Sequence, residues 1–182
     1  MAEKQKESSV LFIDDEEDIL NVMKRLFKDE ITHIHVANNA NSALEILREN
    51  DIDVVVLDYK MPEKDGLTLL KEMKAIKERI NFIMITAFGD KELVQNALRE
   101  EIIDVIDKPF NINYVKKTVH NAIQKAHYQL LVKGIVDIFL ANYAHLDFND
   151  FSKLNFEERE KTIQTVIEIA KHRITNSNKD KE

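Results

Sequence analysis

A parallel α/β sheet covered by helices, followed by an all-helical extension, is the fold this sequence predicts. Three observations carry that expectation. Short apolar runs rich in β-branched residues recur between residue 9 and about residue 126, segments with a 3.6-residue apolar period separate them, and strand-like runs stop beyond Asn111. The runs are apolar throughout instead of alternating, which suits a sheet covered on both faces.

The elements follow in order. Val10-Leu11-Phe12-Ile13 is too short for a buried helix and reads as a strand. Ile19, Val22, Met23, Leu26 and Phe27 form the first helical stripe. Ile31 to Val36 alternates, with Thr32 and Ile34 set against His33 and His35, as an edge strand would. Ala43, Leu44 and Leu47 mark the second helix, and Val54-Val55-Val56-Leu57 the next strand. Leu67, Leu70, Met73 and Ile76 form a third stripe, and Phe82-Ile83-Met84-Ile85 another strand. Leu93, Val94, Ala97 and Leu98 make a fourth stripe, and Asp104-Val105-Ile106 a weaker strand. This alternation predicts right-handed crossovers with helices on both faces of the sheet.

From Asn111 the pattern is helical alone. Ile112, Val115, Val119, Ala122 and Ala126 keep helical spacing, and nothing stops that helix before Asn142. Leu130 to Leu140 is apolar nearly all round, more than a surface helix needs, so a partner must cover it. Asn155 with Glu158 reads as a capping box before a last helix striped by Ile163, Val166, Ile167, Ala170 and Ile174. Met1–Ser9 and Asn176–Glu182 read as frayed ends. The chain thus divides into a domain at 1–126 and a helical tail at 127–182, expected to dimerise or bind a partner.

Composition removes several function classes. The 182 residues hold 26 Lys and Arg against 33 Asp and Glu, and a net charge of -7 disfavours phosphate-backbone binding. Cysteine is absent, which excludes disulfide frameworks, thiolate zinc sites and cysteine nucleophiles. No apolar run approaches the roughly 20 residues of a membrane span, and the charged N-terminus lacks a signal-peptide core. The expectation is a cytoplasmic protein without membrane or DNA partners.

The strand ends carry the chemistry, because ligands of open parallel sheets bind beyond the carboxyl ends of the strands. The first run leads into Asp14-Asp15-Glu16, the central one into Asp58, the next into Thr86, and the last into Lys108-Pro109. Three clustered carboxylates repel unless a cation offsets them. An oxygen-only ligand set favours a hard ion, magnesium above all. A carboxylate beside such an ion, an ammonium and a hydroxyl is suited to accept a phosphoryl group as an acyl phosphate.

Residues 9 to about 126 resemble the receiver domain of two-component response regulators. The resemblance is carried by Leu11-Phe12-Ile13-Asp14-Asp15-Glu16, by Val55-Val56-Leu57-Asp58-Tyr59-Lys60-Met61-Pro62 with Asp65-Gly66, by Met84-Ile85-Thr86-Ala87 and by Lys108-Pro109-Phe110. It implies a flavodoxin-like sheet in the order 2-1-3-4-5. It implies that Asp58 is the phosphoacceptor, that a histidine kinase or histidine phosphotransfer protein is the donor, and that Mg2+ is required. Asp15 and Asp58 would bind the ion directly, with the Lys60 carbonyl as a third ligand and Asp14 acting through water. Lys108 would pair with the phosphoryl group and Thr86 would swing toward it. A cis bond is expected at Lys108-Pro109. Such a protein is a switch and not an enzyme, with self-phosphorylation and slow autodephosphorylation only.

Two departures from the family pattern carry expectations. Val105 stands where receivers often have Tyr or Phe, so Thr86 is expected to signal through backbone shifts. Phe88, two residues after Thr86, is expected to hinder attacking water and slow the loss of phosphate.

Several residues have plainer readings. Asp65-Gly66 reads as a turn, and His33 and His35 as part of a solvated edge strand. His120 and His127 read as surface histidines without acidic neighbours, and Lys116-Lys117 as a solvated charge pair. Residues 111–182 hold 11 basic against 9 acidic residues, too little asymmetry for a DNA-binding surface. The tail is therefore expected to form a homodimer or to dock a protein. The alternatives are a truncated or atypical transcriptional regulator, an output enzyme whose effector domain is cryptic or missing, and a phosphorelay intermediate.

Overall fold

The computed structural model describes residues 7–62, 64–77, 80–87, 100–143 and 147–179. The chain divides into two compact units, Met1–His127 and Tyr128–Glu182.

In the first unit the strands are β1 (Ser9–Ile13), β2 (His33–Ala37), β3 (Val54–Asp58), β4 (Asn81–Ala87) and β5 (Asp104–Lys108). They form one five-stranded sheet in the order β2-β1-β3-β4-β5, with every pair parallel. That is the 2-1-3-4-5 order expected, and β2 lies at an edge. The helices are α1 (Glu17–Phe27), α2 (Ala40–Glu49), α3 (Gly66–Ile76) and α4 (Ile112–Tyr143). The Leu93–Leu98 stripe and Phe88 lie outside the described residues.

Successive strand residues point to opposite faces, so each apolar run feeds two cores at once. Leu11, Ile13, Val55, Leu57, Phe82 and Met84 pack with Leu44 and Leu47 of α2 and Leu70 and Met73 of α3. Val10, Phe12, Val54, Val56, Ile83 and Ile85 pack on the other face with Met23 and Phe27 of α1 and Val115 and Val119 of α4. This division explains why the runs do not alternate. Neither face of the central strands meets water.

Two local expectations are corrected. Asp65-Gly66 is not merely a turn, because Asp65 caps α3 by accepting the Thr68 amide at 2.8 Å and Gly66 begins the helix. Of the ends that read as frayed, residues 1–6 and 180–182 lie outside the described residues, and the described parts belong to the fold. Ser8 and Ser9 are buried, the Ser9 amide donates to Asp53 Oδ2 at 3.0 Å, and the last helix runs to Lys179.

The second unit contains the end of α4, then α5 (Phe148–Lys153) and α6 (Phe156–Lys179). The capping box forms, with the Asn155 amide donating to Glu158 Oε2 at 2.9 Å and the Glu158 amide to Asn155 Oδ1 at 3.0 Å. Within this unit Asp137 accepts the Phe148 amide at 3.1 Å and the Lys133 ammonium at 2.8 Å. That ammonium also lies 5.6 Å from the Phe148 ring centroid. Among the described residues, Leu140 and Val166 are the buried apolar side chains of this unit, while Leu131, Ile138 and Phe156 are more than half exposed. No helix among the described residues is long and apolar enough to cross a membrane.

Candidate functional site

The site is made by the ends of four strands. Asp14 follows β1, and its amide extends the ladder to β2 by donating to the Ala37 carbonyl at 3.2 Å. Asp58 is the last residue of β3, Thr86 lies within β4, and Lys108 ends β5. β3, β4 and β5 therefore run one or two residues further than their apolar runs, whereas β1 ends with its run at Ile13. The site residues belong to the ladder itself: β3–β4 pairing sets Asp58 against Ile85, and β4–β5 pairing sets Thr86 against Asp107.

Asp14, Asp58 and Thr86 are buried, at 3%, 5% and 1% exposure. Asp15 is exposed. One carboxylate oxygen from each of Asp14, Asp15 and Asp58 lies within 4.8 Å of the others. Lys108 reaches into this trio, with its Nζ 2.8 Å from Asp58 Oδ2, 3.0 Å from Asp14 Oδ2 and 3.6 Å from Glu16 Oε1. The other carboxylate oxygens of Asp14 and Asp58 are held by the backbone. The Glu16 amide donates to Asp14 Oδ1 at 2.9 Å and the Lys60 amide to Asp58 Oδ1 at 3.3 Å.

Burial dominates the electrostatics of Asp14 and pushes its carboxyl up, against the opposing pull of the Glu16 amide and Lys108. Burial pulls the Lys108 ammonium down. Its hydrogen bonds to Asp58 and Asp14 outweigh that and hold it above the usual lysine range. A charged lysine is therefore fixed among acids that would otherwise repel. Oxygen donors at this spacing, without nitrogen or sulfur, also fit a hard divalent ion.

Gly66 positions the end of β3, a role the sequence did not reveal. Its amide donates to the Tyr59 carbonyl at 2.8 Å. A β-carbon there would stand 2.6 Å from the Asp58 carbonyl oxygen and 2.9 Å from the Tyr59 Cα, closer than atoms can pack. The Tyr59 amide in turn donates to the Ile85 carbonyl at 2.8 Å. The α3 N-terminus thus lies directly against the backbone that carries Asp58. The one available signal was a glycine at the first position of a capped helix, where none is needed for a turn.

Thr86 donates to the Ala87 carbonyl at 3.3 Å, a long bond that leaves its hydroxyl easily redirected. Val105 is partly buried against the core layer of α2 and α3, and the Lys108-Pro109 bond is cis. The histidines lie apart from these residues. His33 Nε2 is 3.4 Å from Glu7 Oε2. His120 and His127 do have acidic neighbours, contrary to expectation. Nε2 of His120 is 3.2 Å from Glu30 Oε2, and Nε2 of His127 is 4.0 Å from Asp53 Oδ2. These partners are remote in sequence, so only the fold could bring them close. Lys116 likewise pairs with Glu30.

A family model described as the response regulator receiver domain matches residues 10–120. The chain is 34% identical over 115 residues to the regulatory protein AtoC of Escherichia coli strain K12, covering 63% of this chain and 25% of that protein. It is 33% identical over 110 residues to sporulation initiation phosphotransferase F of Bacillus subtilis strain 168, covering 60% of this chain and 89% of that one. The crystal structure of a response regulator receiver domain protein from Clostridium thermocellum aligns with a TM-score of 0.62 at 32% identity, covering 68% of this chain and 98% of that chain. The chain spans about a quarter of the length of AtoC and of the similar E. coli regulator ZraR, covered to 25% and 27%.

Proposed function

The chain belongs to the response regulator receiver domain family, and from that premise we propose that Asp58 accepts a phosphoryl group from a histidine kinase or a histidine phosphotransfer protein. A carboxylate oxygen of Asp58 attacks the phosphorus of a phosphohistidine, and the P–N bond breaks. Its electron pair stays on the imidazole nitrogen, which takes a proton from water, and an acyl phosphate remains on Asp58. The observation that supports this most is the Lys108 ammonium, shared at 2.8 and 3.0 Å between Asp58 and Asp14. It stands where a phosphoryl oxygen on Asp58 would need a cation. Asp14, Asp15, Asp58 and the Lys60 carbonyl would hold Mg2+, which when bound supplies charge neutralisation for the incoming group. Thr86 gives up its long bond to Ala87 and donates to the phosphoryl group.

Phosphorylation replaces the single charge of the Asp58 carboxylate with an acyl phosphate of about -2 beside Asp14 and Asp15, and the protein acts as a switch without turnover on a separate substrate. It signals through its helical tail, by dimerisation or protein binding. The test is labelling of the full chain with radioactive acetyl phosphate. We expect one label per chain that requires Mg2+ and is absent from Asp58→Asn. Equal labelling of that variant would overturn the assignment.

Two further readings each have a supporting observation. The match to the transcriptional regulatory protein ZraR of Escherichia coli, which this chain covers to 27%, favours a transcriptional regulator. The match to sporulation initiation phosphotransferase F, covered to 89%, favours a phosphorelay intermediate. Passage of label from Asp58 to a histidine phosphotransfer protein would support the relay, and retention on DNA at low salt the regulator.

A further inference from the structure

The exposed side of α4 beyond the unit boundary carries a regular seam. Tyr128, Leu131, Ile135 and Ile138 are spaced by three, four and three residues and are 67%, 61%, 48% and 63% exposed. That 3.5-residue period is the signature of a helix that packs along another helix. The opposite side of the same helix is already occupied within the tail. Leu140 is buried there, and Lys133 and Asp137 engage Phe148. The seam is therefore a second apolar face on a helix whose first face is in use.

Three features say what covers it. The next seam position after Ile138 is Asn142, exposed, with its side chain turned back to donate to the Ile138 carbonyl at 2.7 Å. A lone asparagine at a first-type (a) seam position costs stability against an apolar surface but pairs with its own copy in a parallel two-stranded coil, where it fixes register. The flanking positions carry no charge: Val132 and Phe139 lie on one side, Gly134 and Ala141 on the other. Identical chains can thus approach without repulsion, and a β-carbon at Gly134 would meet nothing within 4 Å, leaving room for a neighbouring backbone. The apolar surface extends beyond the seam itself, since Val132 and Phe139 beside it are 38% and 44% exposed, toward the roughly 800 Å² per partner of a stable complex.

We propose that two copies of this chain pair in parallel and in register along the Tyr128–Asn142 face of α4. This names the occupant left open above and rests on that reading only in taking the tail as the output surface. Pairing does not require phosphate on Asp58, so labelling and oligomeric state can fail separately.

Light scattering on the full chain at micromolar concentration should give twice the 21.2 kDa chain mass. The double variant Ile135→Glu with Ile138→Glu should be monomeric, with unchanged far-UV circular dichroism and unchanged acetyl phosphate labelling. Because the chain has no cysteine, Asn142→Cys should form a covalent dimer on mild oxidation, while Lys24→Cys on α1 should not. A monomer at every concentration would overturn the proposal and leave the seam to a different protein. A trimer or larger species, a dimer that survives the double variant, or equal cross-linking at both cysteines would overturn it as well.

Discussion

The two units solve the problem of burying apolar residues differently. In the first, every residue of β1 and β3 is buried, because a parallel sheet with helices on both faces leaves its central strands no contact with water. In the second, two described apolar side chains are buried, while α4 and α6 present Leu131, Ile138, Ile163 and Ile167 to solvent. The first unit's fold is complete within one chain, whereas the second carries surface that one chain does not cover. The candidate site lies in the former, where the strand ends bring three carboxylates and an ammonium together.

Denaturation experiments can break this contrast. The largest effect is expected for Phe12→Ala, since Phe12 is 1% exposed in the layer between β1 and α1. Its loss should cost about 3–5 kcal/mol in urea melts. Leu131→Ala at concentrations too low for association should stay within about 0.5 kcal/mol of the parent, and similar losses at both positions would erase the distinction. Next comes Lys108→Met, which strands two buried acids. Breaking a buried ion pair costs about 3–5 kcal/mol; because the Lys108 side chain is 21% exposed, about 2 kcal/mol is expected in chelator, with Mg2+ restoring much of it.

The two glycines sharpen the comparison further. Gly66→Ala should cost about 2 kcal/mol by forcing a methyl against the Asp58 carbonyl. Gly134→Ala, at concentrations too low for association, should stabilise by up to about 1 kcal/mol. Parallel melts of the two variants check the opposite signs.

The smallest effect concerns pH. The hydrogen bond from Lys116 holds the Glu30 carboxyl below its ordinary value of 4.5. A lowered folded-state pKa gives stability that is present above pH 4.5 and is lost as pH falls through the lower folded value. Glu30→Gln should therefore differ most from the parent above pH 4.5, with the two curves converging in acid.

Much of the first unit was legible in the sequence because its signals are local. Runs such as Val54–Leu57 declare strands, and the polar residues that follow them mark the site. What was missed depends on distance along the chain. Gly66 looks like a turn until α3 is seen to lie against the Asp58 backbone. Glu30 and Asp53 are far in sequence from the histidines they face, and Ser9 belongs to a strand because its backbone pairs with the distant His33 and Asp53. In the tail α4 and α6 were readable from their spacing and the Asn155–Glu158 cap, while the six residues of α5 carried no stripe to read, and a helical stripe does not say which chain will cover it.

The position of Lys108 has one more consequence. Through its backbone β5 touches only β4, yet its terminal ammonium clasps acids at the ends of β3 and β1, strands that lie beyond that neighbour. One flexible side chain thus ties the far side of the sheet to its middle. Any covalent change that draws this ammonium toward one acid must slacken its hold on the other, so an event at a single oxygen is felt over the breadth of four strands.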